Sequence, residues 1–238
     1  TDDEVRAHGA LVRRAAEGGA ATACRIRPDM NAAEVSVAAT DRPRLFADLS
    51  AALTLAGANV MGARVHTSRR GEALDVFFVQ DASGSAFGAD NPRALDRLMS
   101  LLEAAGRGEP LKRDGRPAAE LGRAAAFAIT PTVMLDNDAP DAATVIEASG
   151  RDRPGLLSAL AEVIADAGLS IVSAHIDGYG ERAVDAFYVV DDRGRKLVDP
   201  DRSARLRAGL LSALEAVEGQ PAGRSRAHLQ KARASVAR

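Results

Sequence analysis

Apolar residues along this chain alternate between two arrangements, strict every-other-residue runs and stripes spaced three or four apart. Residues 34–40 (Glu-Val-Ser-Val-Ala-Ala-Thr) and 144–149 (Thr-Val-Ile-Glu-Ala-Ser) are short β-branched runs, which predicts strands. Each is followed by a helical stripe: Leu45, Leu49, Leu53 and Ala56 in one place, Leu156, Leu160, Ile164 and Ala167 in the other. Pro43 and Pro154 are read as opening these helices, where a missing N–H costs nothing. Gly57 and Gly168 are read as closing them. Two strands come next in each place, residues 59–68 with 73–81, and 170–178 with 183–191. Arg69-Arg70-Gly71 and Tyr179-Gly180-Glu181 supply the hairpin turns. A second amphipathic helix follows, marked by Leu95, Leu98, Met99 and Leu102, and again by Leu206, Leu210, Ala213, Leu214 and Val217.

The two places are copies of one another. Asp41-Arg42-Pro43-Arg44-Leu45-Phe46 returns as Asp152-Arg153-Pro154-Gly155-Leu156-Leu157. Leu49, Leu53, Ala56, Gly57, Val60 and Ala63 correspond to Leu160, Ile164, Ala167, Gly168, Ile171 and Ala174. Ala73-Leu74-Asp75-Val76-Phe77-Phe78-Val79 corresponds to Ala183-Val184-Asp185-Ala186-Phe187-Tyr188-Val189. Chance apolar patterning would not hold Asp, Pro, Gly and Phe in register over such a span, so the chain is an internal repeat.

Each copy reads β-α-β-β-α, one strand short of a ferredoxin-like βαββαβ unit. The fold class expected is therefore α+β, two such units in tandem. The first copy is expected to take its last strand from residues 124–136, where Pro131 argues for an edge position or a bulge. The second copy lacks a strand after its helix, and residues 21–27 are the candidate to supply it. The expected organisation is an N-terminal helix and strand in residues 1–30, left from an upstream region, and a first unit at 31–108 plus the strand 124–136. A linker at 109–123, a second unit at 143–218 and a disordered basic tail at 219–238 complete it.

Composition narrows the function classes. The chain has 238 residues, 46% hydrophobic and 27% charged, the balance of a soluble globular protein, and a formal net charge of −2. No overall field therefore favours nucleic acid or acidic lipid. Aromatic residues are only 3%, too few for the stacking platform of an RNA-binding sheet. One cysteine, Cys24, excludes an intrachain disulfide framework, and its alternating surroundings mark a packed strand residue. No apolar run is long enough to span a membrane, so a cytoplasmic location is expected. The start at Thr1-Asp2-Asp3-Glu4, without an initiator Met, points to a fragment of something longer.

Strand, Asp-Arg-Pro-Gly-Leu-Leu, amphipathic helix, Ala-Gly-Leu-Ser-Ile and a hairpin ending in Asp-x-Phe-Tyr-Val together resemble the ACT domain. Longer phrases are more specific: Ala63-Arg-Val-His-Thr67, Ala73-Leu-Asp-Val-Phe-Phe-Val-Gln-Asp81, Gly150-Arg-Asp-Arg-Pro-Gly-Leu-Leu157, Ser173-Ala-His-Ile-Asp177 and Tyr179-Gly-Glu-Arg-Ala-Val-Asp185. They are similar to the C-terminal tandem ACT region of the bifunctional uridylyltransferase/uridylyl-removing enzyme family of bacterial nitrogen control, from about residue 20 to about residue 217. That resemblance implies a regulatory module that senses glutamine, or a similar amino acid, and controls upstream catalytic domains acting on the PII signal protein. Those domains are expected to be a Mg2+-using nucleotidyltransferase and a phosphodiesterase-type hydrolase. No cofactor or metal is expected in this chain. His8, His66, His175 and His228 are followed by Gly, Thr, Ile and Leu, so no His-Asp dyad is present, and no Gly-Ser motif with paired aspartates is visible. The chain itself is expected not to be an enzyme. The alternative is a stand-alone ACT-repeat module that binds another amino acid or only mediates dimerisation.

An amino-acid site must offer donors to a carboxylate and acceptors to an ammonium. Exposed N–H groups at a helix N-terminus suit the carboxylate. In the second copy Gly155, Leu156 and Leu157 form that entrance, with Gly155 letting a ligand approach the backbone. Asp152 either receives the ammonium or caps the helix, capping being the more ordinary role. Arg153 is a loop charge or a clamp, and the facing strand from Ser170, with Ile171 and Ser173, offers backbone groups. In the first copy the corresponding residues are Asp41, Arg44, Leu45, Asn59 and Val60, with Arg44 crowding the position of Gly155. The main site is therefore expected in the second copy. His66 and His175 read as strand histidines, and Asp75 and Asp185 as hairpin or interface polar groups. Sheet edges offer a route to a homodimer.

Overall fold

The computed structural model describes residues 2–68, 70–111, 129–138, 142–179 and 181–216. The elements are α1 (Asp2–Gly18), β1 (Ala20–Arg27), β2 (Ala32–Thr40), α2 (Leu45–Ala56), β3 (Asn59–Thr67), β4 (Glu72–Gln80) and α3 (Pro92–Gly106). They continue as β5 (Thr132–Asp136), β6 (Thr144–Arg151), α4 (Leu156–Asp166), β7 (Ser170–Tyr179), β8 (Arg182–Val190) and α5 (Pro200–Glu215). The expected linker core and basic tail lie outside the described residues, as does Val217.

All the strands join one antiparallel sheet of eight, ordered β1-β2-β4-β3-β7-β8-β6-β5. The order reads the same from either edge once copy is exchanged for copy. The pseudo-twofold runs beside the pair Arg64–His175, because these two residues are repeat equivalents and also face each other in the β3–β7 register. The mixed α+β class and the tandem ferredoxin-like units expected from the pattern are both present.

The edge strands are distributed the other way round from expectation. β1 pairs with β2 along its full length, from Ala20↔Ala39 to Arg27↔Ala32, and so completes the first unit. β5 pairs with β6, from Thr132↔Ser149 to Asp136↔Val145, and completes the second. Each unit is thus β-βαββα, with its closing strand moved ahead of the others. The reason is proximity: antiparallel neighbours need only a short connection, and a tight turn with Met30 N–H donating to Arg27 O joins β1 to β2. The β5–β6 connection is pinned by polar contacts. Thr144 Oγ1 donates to Asn137 Oδ1 at 2.7 Å and accepts from Leu197 N–H at 2.8 Å, while Asn137 Nδ2 donates to Leu197 O at 2.9 Å. Pro131 sits just before β5, which is an edge strand.

Helices α2 to α5 cover one face of the sheet. Inward residues alternate along the central strands, with Phe77 and Phe187 fully buried among Leu49, Leu53, Leu160 and Ile164. Phe46 links the two halves, its ring centroid 5.9 Å from Phe77 and 6.4 Å from Phe187. The opposite face carries α1, which packs Leu11 and Ala15 on Ala21 and Ala38.

Pro43 and Pro154 do not begin the helices. Leu45 N–H donates to Arg42 O and Leu156 N–H to Arg153 O, closing four-residue turns with proline second and a positive-φ residue third, Arg44 at 69° and Gly155 at 76°. That is a type II turn, which favours glycine at its third position. The prolines that do open helices are Pro92 and Pro200, behind Asn91 and Asp199 side-chain caps.

Candidate functional site: two clefts between the units

Each Asp-Arg-Pro turn ends at the seam between the units, and a cleft opens beside it. The first cleft is narrow, with about 20 Å³ of space open to a water-sized molecule, and is lined on one side by Asp41, Arg42, Arg44, Leu45, Phe46, Ala47, Val65, Thr67, Ala73 and Asp75. Its other wall belongs to the second unit: Ala161 and Ala165 of α4, with Leu169, Ser170 and Ile171 at the entry to β7. The second cleft, equally narrow at about 20 Å³, gathers Asp152, Leu156, Leu157, Ile176, Asp177, Gly178, Ala183 and Asp185, with Val60 of the first unit. The two are repeat equivalents, since Asp41, Leu45, Val65, Ala73 and Asp75 correspond to Asp152, Leu156, Ile176, Ala183 and Asp185.

Of the residues expected at the site, Asp41, Arg44 and Leu45 meet in the first cleft and Asp152, Leu156 and Leu157 in the second. The facing-strand residues are exchanged: Ile171 faces the first unit's turn and Val60 the second's. β3 and β7 lie side by side at the seam, so the start of each is carried to its neighbour's turn.

Four expected residues are not among the lining residues. Arg153 donates to Ala213 O at 2.8 Å and ties its turn to the end of α5, as Arg42 does to Ala105 O at 2.6 Å on α3. Both arginines thus satisfy carbonyls at a helix C-terminus. Gly155 faces α2 of the other unit, where a Cβ would stand 3.3 Å from Thr54 Cγ2, so its backbone is approached by a neighbouring helix. Asn59 donates to Met61 Sδ at 3.3 Å, and Ser173 lies within the β3–β7 pairing opposite His66.

Asp152 does not cap its helix: neither α2 nor α4 has a side-chain cap. Burial pushes both Asp41 and Asp152 above the ordinary carboxylate range, against a hydrogen bond from the next residue's backbone N–H.

The residues sequence reading set aside are Asp75 and Asp185. Asp75 is 1% exposed and Asp185 2% exposed, and in each Oδ1 has no hydrogen-bond partner. Burial pushes Asp75 up to about 8, helped by the nearby Asp41 charge and opposed by the His66 backbone N–H. Burial likewise pushes Asp185 up to about 7, helped by Asp152 and Asp177. Their signal was in the alternation: Ala73, Phe77 and Val79 point inward, as do Ala183, Phe187 and Val189, so a carboxylate at the same parity has to be buried.

The mouths differ. Arg44 forms an ion pair with Asp166 at the end of α4, joining the two units across the first cleft, with side chains 44% and 71% exposed. Gly155 provides no such link at the second. The histidines stand apart, His175 edge-on to Tyr188 with ring centroids 6.3 Å apart and His66 exposed on β3. Among the described residues no group of three or more His, Cys, Asp or Glu is placed to hold a metal ion, and no helix is long and apolar enough to cross a membrane.

The ACT domain family model matches residues 33–86 and 144–205, one segment in each unit. The bifunctional uridylyltransferase/uridylyl-removing enzyme of Phenylobacterium zucineum is 64% identical over all 238 residues, and that of Caulobacter vibrioides (strain NA1000 / CB15N) is 58% identical over 239 aligned positions. The chain spans 25% of the length of each of these two relatives. Among solved structures, aspartate kinase from Synechocystis aligns with 78% of this chain and 28% of its own, at 20% identity and a TM-score of 0.42. Two segments of the chain, one in each unit, are therefore ACT domains, and the chain is similar over its whole length to the C-terminal part of bifunctional uridylyltransferase/uridylyl-removing enzymes.

Proposed function

We propose that this tandem senses a free amino acid, with glutamine the first candidate, and that occupancy of an inter-unit cleft controls the uridylyltransferase and uridylyl-removing activities of a parent enzyme acting on the PII signal protein. The observation that carries this reading is the placement of the clefts. Each has walls from both units, so a ligand there contacts two bodies and favours one relative arrangement over others. A ligand regulates chemistry it does not touch only by such differential binding. The lining suits an amino acid: buried carboxylates for an ammonium, a guanidinium at the first mouth for a carboxylate, and apolar walls between. The catalytic domains and any Mg2+ belong to the parent on this reading, and this chain supplies the regulated input.

Calorimetric titration of the chain with glutamine, against glutamate and the branched-chain amino acids, tests the proposal. Saturable heat with glutamine preferred supports it. Binding of another amino acid alone would move the ligand assignment, and silence toward the full set of amino acids would leave a module for dimerisation only.

A further inference from the structure

The two clefts are equivalent by descent but not in charge. Every titratable lining residue of the second is an aspartate: Asp152, Asp177 and Asp185, with no cation among its described lining residues. The first holds Asp41 and Asp75 but also Arg42 and Arg44. An amino acid is a zwitterion, and in the second cleft its carboxylate would meet three aspartates and no side-chain cation, an unfavourable charge balance. Only the first cleft offers a charged side chain to each end.

At the floor of the first cleft stands Asp75, almost wholly buried on β4, with Oδ1 lacking a hydrogen-bond partner. Polar groups buried to this degree are nearly always satisfied, and an exception calls for a reason. A ligand ammonium supplies one, since it donates to a carboxylate and is otherwise hard to accommodate in an apolar site. At the mouth, Arg44 makes an exposed ion pair with Asp166, with the charges of Asp48 and Glu162 also near, and an exposed pair of this kind is worth about 0–1 kcal/mol and readily exchanged.

Resting on the amino-acid reading above, we infer that the first cleft is the amino-acid site of this tandem, with Asp75 receiving the ligand's ammonium and Arg44 turning from Asp166 to its carboxylate. This assignment places the site in the copy whose turn departs from Asp-Arg-Pro-Gly. It also gives the signal a physical form, because a link between the units is traded for a link to the ligand.

The proton balance follows. Asp75, raised to about 8, carries its proton in the free protein near neutrality. Pairing with an ammonium stabilises the ionised form, so the carboxyl becomes a carboxylate and its proton leaves to solvent. Asp41 on the turn before α2 and Arg42 and Arg44 beside it are the charged groups facing Asp75 across the cleft; His66 contributes only its backbone N–H.

The test is calorimetry on the 238-residue chain near pH 7, in two buffers of different ionisation heat. The ligands are glutamine, the other amino acids, and glutaramate, which is glutamine without its ammonium. The expected result is one glutamine per chain with close to one proton released, and no measurable binding of glutaramate. Asp75→Asn should weaken glutamine by more than about tenfold and abolish proton release, while Asp185→Asn should leave affinity within about twofold. Affinity unchanged in Asp75→Asn, or lost in Asp185→Asn instead, would overturn the assignment while leaving the sensor intact. Failure of every amino acid to bind would overturn both. If Asp75→Asn does not fold, wild-type glutamine binding without proton release suffices to reject the role given to Asp75.

Discussion

Arg44 of the first unit and Asp166 of the second form an ion pair across the seam, from a residue held at a φ of 69°. Its repeat equivalent, Gly155, adopts the same backbone at 76°, where glycine is unstrained. The first turn therefore carries a side chain that its conformation disfavours. The ion pair only partly offsets that cost, since a non-glycine residue at positive φ costs about 1–2 kcal/mol and an exposed pair returns about 0–1.

Arg44→Gly should accordingly leave the fold as stable as before, or more stable by up to about 1 kcal/mol, while weakening amino-acid binding. Chemical denaturation and glutamine titration on the same protein check both halves. A loss of more than about 1 kcal/mol would mean that the inter-unit pair is worth more than exposed pairs generally are.

Stability should fall as pH rises from about 4 to about 8. Asp75 and Asp185 start near 3.8 in the unfolded chain and stand near 8 and near 7 in the folded one, so between these values the folded state holds the extra protons. Their contribution is fully present below the unfolded value and is lost as pH climbs through the folded ones, by about 1.4 kcal/mol per pH unit for each group. Thermal midpoints of the wild type and of the double variant Asp75→Asn/Asp185→Asn, measured across that range, should lie closest at low pH, where both carboxyls are neutral like the amides, and separate as pH rises, the wild type losing stability that the variant keeps. Parallel profiles would mean that the two carboxyls are ionised in the native protein.

The edge-strand assignment has its own check. A Cβ on Gly106, at the end of α3, would stand 2.7 Å from Ala20 Cβ on β1. Gly106→Ala should therefore destabilise the chain by about 1–3 kcal/mol, despite the better helix propensity of alanine. A neutral result would mean that β1 does not lie under α3.

Thr144, fully buried, holds the β5–β6 connection through its hydroxyl. Thr144→Val keeps the shape and leaves Leu197 N–H without its acceptor, a loss of about 1–3 kcal/mol readable by denaturant unfolding.

Much of this was legible in the sequence, and the parts that were not have definite causes. The two helix–hairpin–helix units followed from apolar spacing, because Leu45, Leu49 and Leu53 bury one face of a helix whatever lies around them. The edge strands were misassigned because a strand's parity tells which face it buries but not which neighbour it pairs with; β1 and β5 each precede the unit they complete. The clefts were half seen. Asp41 and Asp152 lie in motifs that draw the eye, whereas Val60 and Ile171 serve the opposite copy, a consequence of the β3–β7 seam that no local pattern encodes. Asp75 and Asp185 were visible as repeats but were read as polar trim, when their parity with Phe77 and Phe187 already put them inside. Arg44, read as an obstruction, stands at the mouth with a weakly held charge.

On the function proposed above, one amino acid is held between the two units. Backbone-amide NMR of the isotope-labelled chain, titrated with glutamine, tests it most directly. Saturable shifts that share one midpoint are expected in Asp41 to Phe46 of the first unit and in Ala165, Leu169 and Ile171 of the second. Shifts confined to one unit, or centred on Asp152 and Asp185, would contradict it.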